Sequence, residues 1–228
     1  MKNNEYLIMD NLIDKTRERS SFSDFSGLVE DILGQHHKTR KLSQTYINEI
    51  YGEIVPLKIF SNYIKAQFVE LCPKNAKFDA KVYLEGGIET LLEITRMGMT
   101  HQSDLQLEHC SKFGYVDPNV NVKSDGTKAS GNRVIQEQTE NTMVSEEEIK
   151  RKFKEDLNNA IEKKIKKSDK ADFAGWLLVS FEFGDYTLNI QCIKDVLSKT
   201  TVRSEGFSKI YVVGSPWEGY ESLVYEMK

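Results

Sequence analysis

Residues Phe78 to Arg96 read FDAKVYLEGGIETLLEITR, and their pattern decides the architecture. Asp79, Lys81 and Tyr83 alternate with Ala80, Val82 and Leu84, the period-two signature of a strand with two different faces. The run from Ile88 to Arg96 is almost continuously apolar around Leu91 and Leu92, as suits a central strand covered on both sides. Between the runs, Gly86-Gly87 supplies two residues free to take positive φ, which a tight turn requires. An antiparallel hairpin is the expected result. Asp79 opens its first strand and Glu93 nearly closes its second, so pairing brings them toward cross-strand range, about 4.5–5.5 Å between Cβ atoms. Two carboxylates that close point to a divalent cation held by oxygen ligands.

Upstream, the first seventy residues carry helical periodicity over Asn3–Arg19, Phe22–Leu33 and Leu42–Glu70. Phe25, Leu28, Val29, Ile32 and Leu33 recur at three- and four-residue steps, and Ser23 or Asp24 is placed to cap that helix. Pro56 ends one helix or begins the next. The period continues through Ile59, Phe60, Tyr63, Ile64, Phe68 and Leu71, predicting a helix that packs on the following sheet.

Downstream, a helix is predicted from about Thr100 to Phe113, ended by Gly114. Residues 115–142 are polar, with Asp117-Pro118 and Asp125-Gly126 as turn signals, and predict a protruding hairpin from Val120-Asn121-Val122 and Val134-Ile135. Its tip carries Lys123, Lys128 and Arg133, cations suited to phosphate, although an ordinary connecting loop fits the same composition. Ser145 with Glu148 forms a capping box ahead of the stripe Ile149, Phe153, Leu157, Ala160, Ile161 and Ile165. The lysines that close this helix, Lys163, Lys164, Lys166, Lys167 and Lys170, read as a solvated face that complements the helix dipole. Gly175–Phe183 is the strongest strand signal. With the helix Leu188–Ser198 and the strand Lys209–Gly214 it predicts a parallel strand–helix–strand unit. Asp185, after the first of these strands, is a secondary site candidate or a helix cap.

The sequence therefore predicts an α/β fold with a mixed sheet: a helical N-terminal segment over residues 1–56 packed on a core spanning 57–228. Cys72, Cys110 and Cys192 show no C-x-x-C pair and no zinc-site spacing, so they read as reduced thiols. The N-terminus lacks an apolar signal core and no run approaches the ~18 apolar residues of a membrane span, which predicts a cytoplasmic protein without a membrane partner. Dinucleotide-binding, nucleophile-elbow and phosphate-loop glycine frames are absent.

An Asp at the start of one strand with an acidic residue on the next resembles the PD-(D/E)XK nuclease superfamily. Asp79 stands in its Asp position, preceded by Phe78 rather than Pro. Glu93-Ile94-Thr95 occupies the Glu-x-Lys position with threonine where lysine belongs, and Arg96 points to the opposite strand face. The resemblance implies a restriction-endonuclease-like core, Mg²⁺ or Mn²⁺ bound by Asp79 and Glu93, and hydrolysis of DNA or RNA. It makes Asp79, Glu93 and Thr95 the catalytic positions. Lys81, which shares a strand face with Asp79, is the best stand-in for the missing lysine, ahead of Lys65 and Lys128. Glu70, His101 or Glu108 are the residues that could approach from flanking helices.

A formal net charge of −4 gives no global attraction to nucleic acid. With the missing lysine and the apolar stripes of the N-terminal helices, it supports an alternative: a catalytically inactive binding or assembly protein of the same fold, acting through a protein partner or self-association.

Overall fold

The computed structural model describes residues 4–38, 44–98, 121–124, 135–138, 145–167, 175–183, 186, 188–215 and 221–228. The chain begins with α1 (Asn4–Lys15), a two-residue edge strand β1 (Ser20–Ser21) and α2 (Phe22–Lys38). The cap of α2 is Ser21 rather than Ser23 or Asp24: its Oγ accepts the Asp24 N–H at 3.1 Å and donates to the Asp24 carboxylate at 2.6 Å. A continuous helical rod follows, made of α3 (Gln44–Glu49), a π turn (Ile50–Ile54) and α4 (Val55–Tyr63).

The π turn has a sequence cause. Pro56 has no N–H to give the carbonyl four residues back, that of Gly52, and its ring crowds that position. The backbone widens so that the Val55 N–H reaches the Ile50 carbonyl. The orphaned Gly52 carbonyl accepts instead from Ser180 Oγ, at 3.3 Å, on a strand of the sheet below.

Helix α4 stops seven residues earlier than the periodicity predicts. Lys65 takes φ 55°, a left-handed conformation that ends the helix, and the Ala66 N–H turns back to the Ser61 carbonyl at 2.9 Å. Phe68–Leu71 is strand β2. Three- and four-residue spacing of Ile64, Phe68 and Leu71 mimicked a helix, but Val69 and Leu71 alternate with less buried neighbours as strand residues do.

The predicted hairpin is present: β3 (Ala80–Tyr83) and β4 (Glu89–Arg96) pair antiparallel, and Gly86 and Gly87 take φ 80° and 77° in the turn. A separate antiparallel pair joins β5 (Asn121–Ser124) to β6 (Ile135–Gln138), within the polar segment. Helix α5 (Glu146–Lys167) opens on the capping box, with Ser145 Oγ accepting the Glu148 N–H and the Ser145 N–H reaching the Glu148 carboxylate. Then come β7 (Trp176–Glu182), α6 (Ile190–Ser198, capped by Asn189), β8 (Lys209–Ser215) and a C-terminal edge strand β9 (Leu223–Glu226).

Among the described residues the principal sheet has seven strands in the order β1-β2-β3-β4-β7-β8-β9. Its centre, β4-β7-β8, is parallel, and the flanking pairs are antiparallel. One face packs Val82, Leu92, Ile94, Leu178 and Val213 under α1, α2, the π turn and α4. The other packs Leu177, Val179, Phe181 and Val212 under α5 and α6, with Phe153 edge-on to Phe181 at 5.2 Å between centroids. A side chain on Gly214 would meet the Phe181 ring at 2.7 Å, so β8 carries glycine where the rings need the room. This two-faced sheet lets a residue of β4 be met from either side, depending only on its parity.

Candidate functional site

The candidate site lies where β3 stops pairing with β4. Their ladder runs from Tyr83 opposite Glu89 to Ala80 opposite Leu92, whereas β4 continues to Arg96 with β7 on its other edge. The Asp79 N–H still reaches the Leu92 carbonyl at 2.9 Å. Beyond it the Ile94 N–H has no strand partner from β3, and the Asp79 carboxylate takes that place, Oδ2 accepting the N–H at 2.6 Å. A charged acceptor on a backbone N–H makes a short, strong bond, so Asp79 is fixed at the fork. From the other side, the Cys72 N–H donates to the Asp79 carbonyl at 2.8 Å.

Glu93 sits one position before Ile94 and so faces the opposite side of the sheet, toward α5. There Lys164 closes the arrangement. Its ammonium donates to Glu93 Oε2 at 2.6 Å and to Asp79 Oδ2 at 3.2 Å, with the lysine side chain only 19% exposed. Burial opposes the charge, but the two carboxylates outweigh it and hold the Lys164 pKa above the usual lysine value. The separation of Asp79 and Glu93 in sequence thus collapses to the reach of one nitrogen atom.

A third carboxylate approaches from the helical layer. Glu53 stands in the π turn, and its pKa is pushed up to about 7, first by burial and then by the charges of Asp79 and Glu49, against the smaller opposing pull of Lys74 and Arg17. Glu49, one turn earlier, is itself buried and ion-paired with Arg17 and with Lys74, the latter at 3.0 Å. Arg17 also donates to the Cys72 carbonyl at 2.8 Å, tying α1 to the segment that holds Asp79. Beside this network opens a cavity of about 490 Å³ lined by Asp10, Tyr46, Glu49, Arg17 and Lys74, among others. The Tyr46 hydroxyl donates to Asp10, and burial followed by that bond pushes its pKa up to about 12.

The structure brings together Asp79 and Glu93 as the hairpin predicts, and it supplies a lysine from an unexpected element. Lys164, read from sequence as part of a solvated face, is instead turned inward, because it follows Ile161 by three residues and Ala160 by four on the buried stripe of α5. Lys81 does not take part: its ammonium lies over the Phe78 ring, 5.6 Å from the centroid. Thr95 shares the Glu93 face, and its carbonyl, 3.4 Å from Ser180 Oγ, competes with the Gly52 carbonyl for the one Ser180 hydroxyl proton. Lys65 serves the end of α4. Glu70 belongs to β2 rather than to a helix, and accepts the Tyr83 hydroxyl at 3.2 Å. Lys123 lies on β5, and Lys128, Arg133, His101, Glu108 and Asp185 lie outside the described residues.

Sequence reasoning missed Lys164 and Glu53. Each had a signal: a lysine in phase with the apolar helical stripe, and a lone acid in the apolar run IYGEIVPL. Among the described residues no group of three or more His, Cys, Asp or Glu side chains is arranged to hold a metal ion, and no described helix is long and apolar enough to cross a membrane. No family model, curated protein or solved structure matches the chain.

Proposed function

We propose that the protein is a metal-dependent phosphodiesterase acting on nucleic acid, with Asp79, Glu93 and Lys164 as its working set. The observation that carries the reading is the double ion pair: an acid fixed at the strand fork, an acid on the next strand and a lysine meet at one point, although the lysine comes from a helix. The finer assignment of the sheet to a restriction-endonuclease-like core belongs to the same proposal. It is supported by the antiparallel hairpin leading into parallel β4-β7-β8 with helices on both faces.

The donor set suits Mg²⁺ or Mn²⁺, since the carboxylate oxygens are hard ligands, and Mg²⁺ is commonly bound through one or two carboxylates plus substrate phosphate. The ammonium already seated on both acids is a stand-in that marks the point as favourable to positive charge. Asp79 and Glu93 would hold the ion, which supplies a lowered pKa for bound water and positive charge against the reacting phosphate. Lys164 donates to a phosphate oxygen and offsets its charge. Glu53, which feels the charge of Asp79 and has a pKa of about 7, would be the group to test as a proton acceptor.

The test is cleavage of single- and double-stranded DNA and RNA by the purified chain with Mg²⁺ or Mn²⁺. Activity abolished by Asp79→Ala and by Glu93→Ala, with unchanged circular dichroism, supports the reading. An inert wild type on every substrate, with no metal-dependent change in melting temperature, removes it. The binding or assembly protein would then remain, and sedimentation of the chain alone and with partners would be the next measurement.

A further inference from the structure

Lys164 occupies the point where Asp79 and Glu93 converge. One oxygen of Asp79, Oδ2, serves both the Ile94 N–H and the ammonium, and Glu93 Oε2 serves the ammonium at 2.6 Å. Both acids are partly buried, and neutralising them internally removes the cost of holding two like charges together. Their anchoring differs from that of the lysine. Asp79 is fixed by backbone, and Glu93 projects from a strand paired on both sides, whereas Lys164 reaches the site on a flexible four-carbon stem from the last turn of α5. The carboxylates can stay when the ammonium leaves.

We infer that Lys164 is the resident cation of this site, that a divalent ion binds Asp79 and Glu93 only by displacing it, and that an anionic phosphodiester assists by drawing the ammonium to itself. The inference rests on the metal-dependent reading above and deepens it with a regulation. Metal and nucleic acid then bind cooperatively, since each relieves the cost that the other pays, and the coupling is equal in both directions. The free protein keeps a low affinity for metal, and a complete site forms only on substrate.

The test uses the full chain, first alone and then with a phosphorothioate oligonucleotide, and Mn²⁺ as the probe, with free Mn²⁺ read by electron paramagnetic resonance. Lys164→Met keeps the stem and removes the charge. It is expected to bind Mn²⁺ at least about tenfold more tightly than wild type, while losing the gain in affinity that a phosphorothioate oligonucleotide gives the wild type. Equal or weaker Mn²⁺ binding by the variant overturns the inference. A measurement on the wild type stands even if the variant fails to fold: the slowly exchanging Lys164 ammonium signal in ¹⁵N spectra should be lost or shifted at saturating Mg²⁺, and an unchanged signal overturns displacement. Failure of the underlying reading looks different. If Lys164→Met binds Mn²⁺ more tightly but no chain cleaves nucleic acid, displacement stands and the nuclease does not. If cleavage is metal-dependent but the two affinities are equal, the nuclease stands and displacement does not.

Discussion

Strand β4 carries two ion-paired clusters three residues apart, and they are built to opposite ends. On the face toward the N-terminal helices, Arg96 Nη2 meets Glu182 at 2.8 Å, with the side chains 13% and 21% exposed. Each charge there has its counter-charge. At Glu93, on the other face, one ammonium serves two carboxylates, and from the helical layer Glu53, kept protonated to about pH 7 first by burial and then by the charges of Asp79 and Glu49, adds a third acid. A paired guanidinium and carboxylate bind two strand ends together. An excess of carboxylate weakens the fold and is useful where more positive charge is to arrive.

The largest effect separates the clusters by activity. Lys164→Ala is expected to lower metal-dependent cleavage about a thousandfold, within the range of a proton-transfer or charge-stabilising group. Arg96→Ala should stay within tenfold per folded molecule, measured under single-turnover conditions. Thr95→Lys sharpens the contrast. In the wild type it duplicates a lysine already present and gains nothing, but in Lys164→Ala it returns an ammonium to the face of Glu93 and should recover at least tenfold. A loss in Arg96→Ala as large as that in Lys164→Ala, or no recovery by Thr95→Lys, would break the assignment of roles.

Stability should order the clusters the other way. Glu182→Ala leaves Arg96 partly buried without this partner and is expected to cost about 3 kcal/mol in urea unfolding. Glu93→Gln, measured in EDTA, keeps an acceptor for Lys164 and removes one of the crowded charges, so it should stay within about 1 kcal/mol of wild type. If Glu93→Gln proved the costlier change, the carboxylate excess would be a structural necessity.

Glu53 gives a smaller effect with a defined pH course. Its pKa in the folded chain is about 7 against an ordinary value of 4.5. The folded state therefore keeps a proton that the unfolded state has already lost as pH rises through 4.5, and stability falls until about pH 7. Glu53→Gln copies the protonated form permanently. In EDTA it should match wild type near pH 4 and exceed it by about 3 kcal/mol at pH 8, by chemical unfolding at both. A constant difference across pH would assign the effect to packing.

The hairpin and its acids were legible because strand alternation and a glycine pair are local signals, and the parallel unit β7-α6-β8 was legible for the same reason. The fork was not. Nothing within Phe78–Arg96 says that Asp79 takes over a backbone N–H of Ile94, since that depends on where β3 stops. Lys164 was hidden among neighbours of its own kind: Lys163, Lys166 and Lys167 satisfy the helix dipole equally well, and only its phase on the Leu157–Ile161 stripe distinguishes it. Strand β2 was obscured because Ile64, Phe68 and Leu71 keep helical spacing across a break that the left-handed Lys65 makes.

The smallest effect tests what presents Glu53 to the site. Ser180 Oγ donates to the Gly52 carbonyl at 3.3 Å because Pro56 cannot, so Ser180→Ala should cost about 1 kcal/mol by leaving a buried carbonyl unmet. Pro56→Ala restores the missing N–H and lets the π turn close toward α-helical geometry, after which the hydroxyl is redundant. In that background Ser180→Ala should be nearly neutral, and a double-mutant cycle in urea should return a coupling of about 1 kcal/mol. The closed turn would also swing Glu53 away from Asp79, so the pH dependence that Glu53 contributes should shrink with it. Additivity within about 0.3 kcal/mol would mean that proline does not cause the π turn, and that β7 and the helical layer position Glu53 by packing alone.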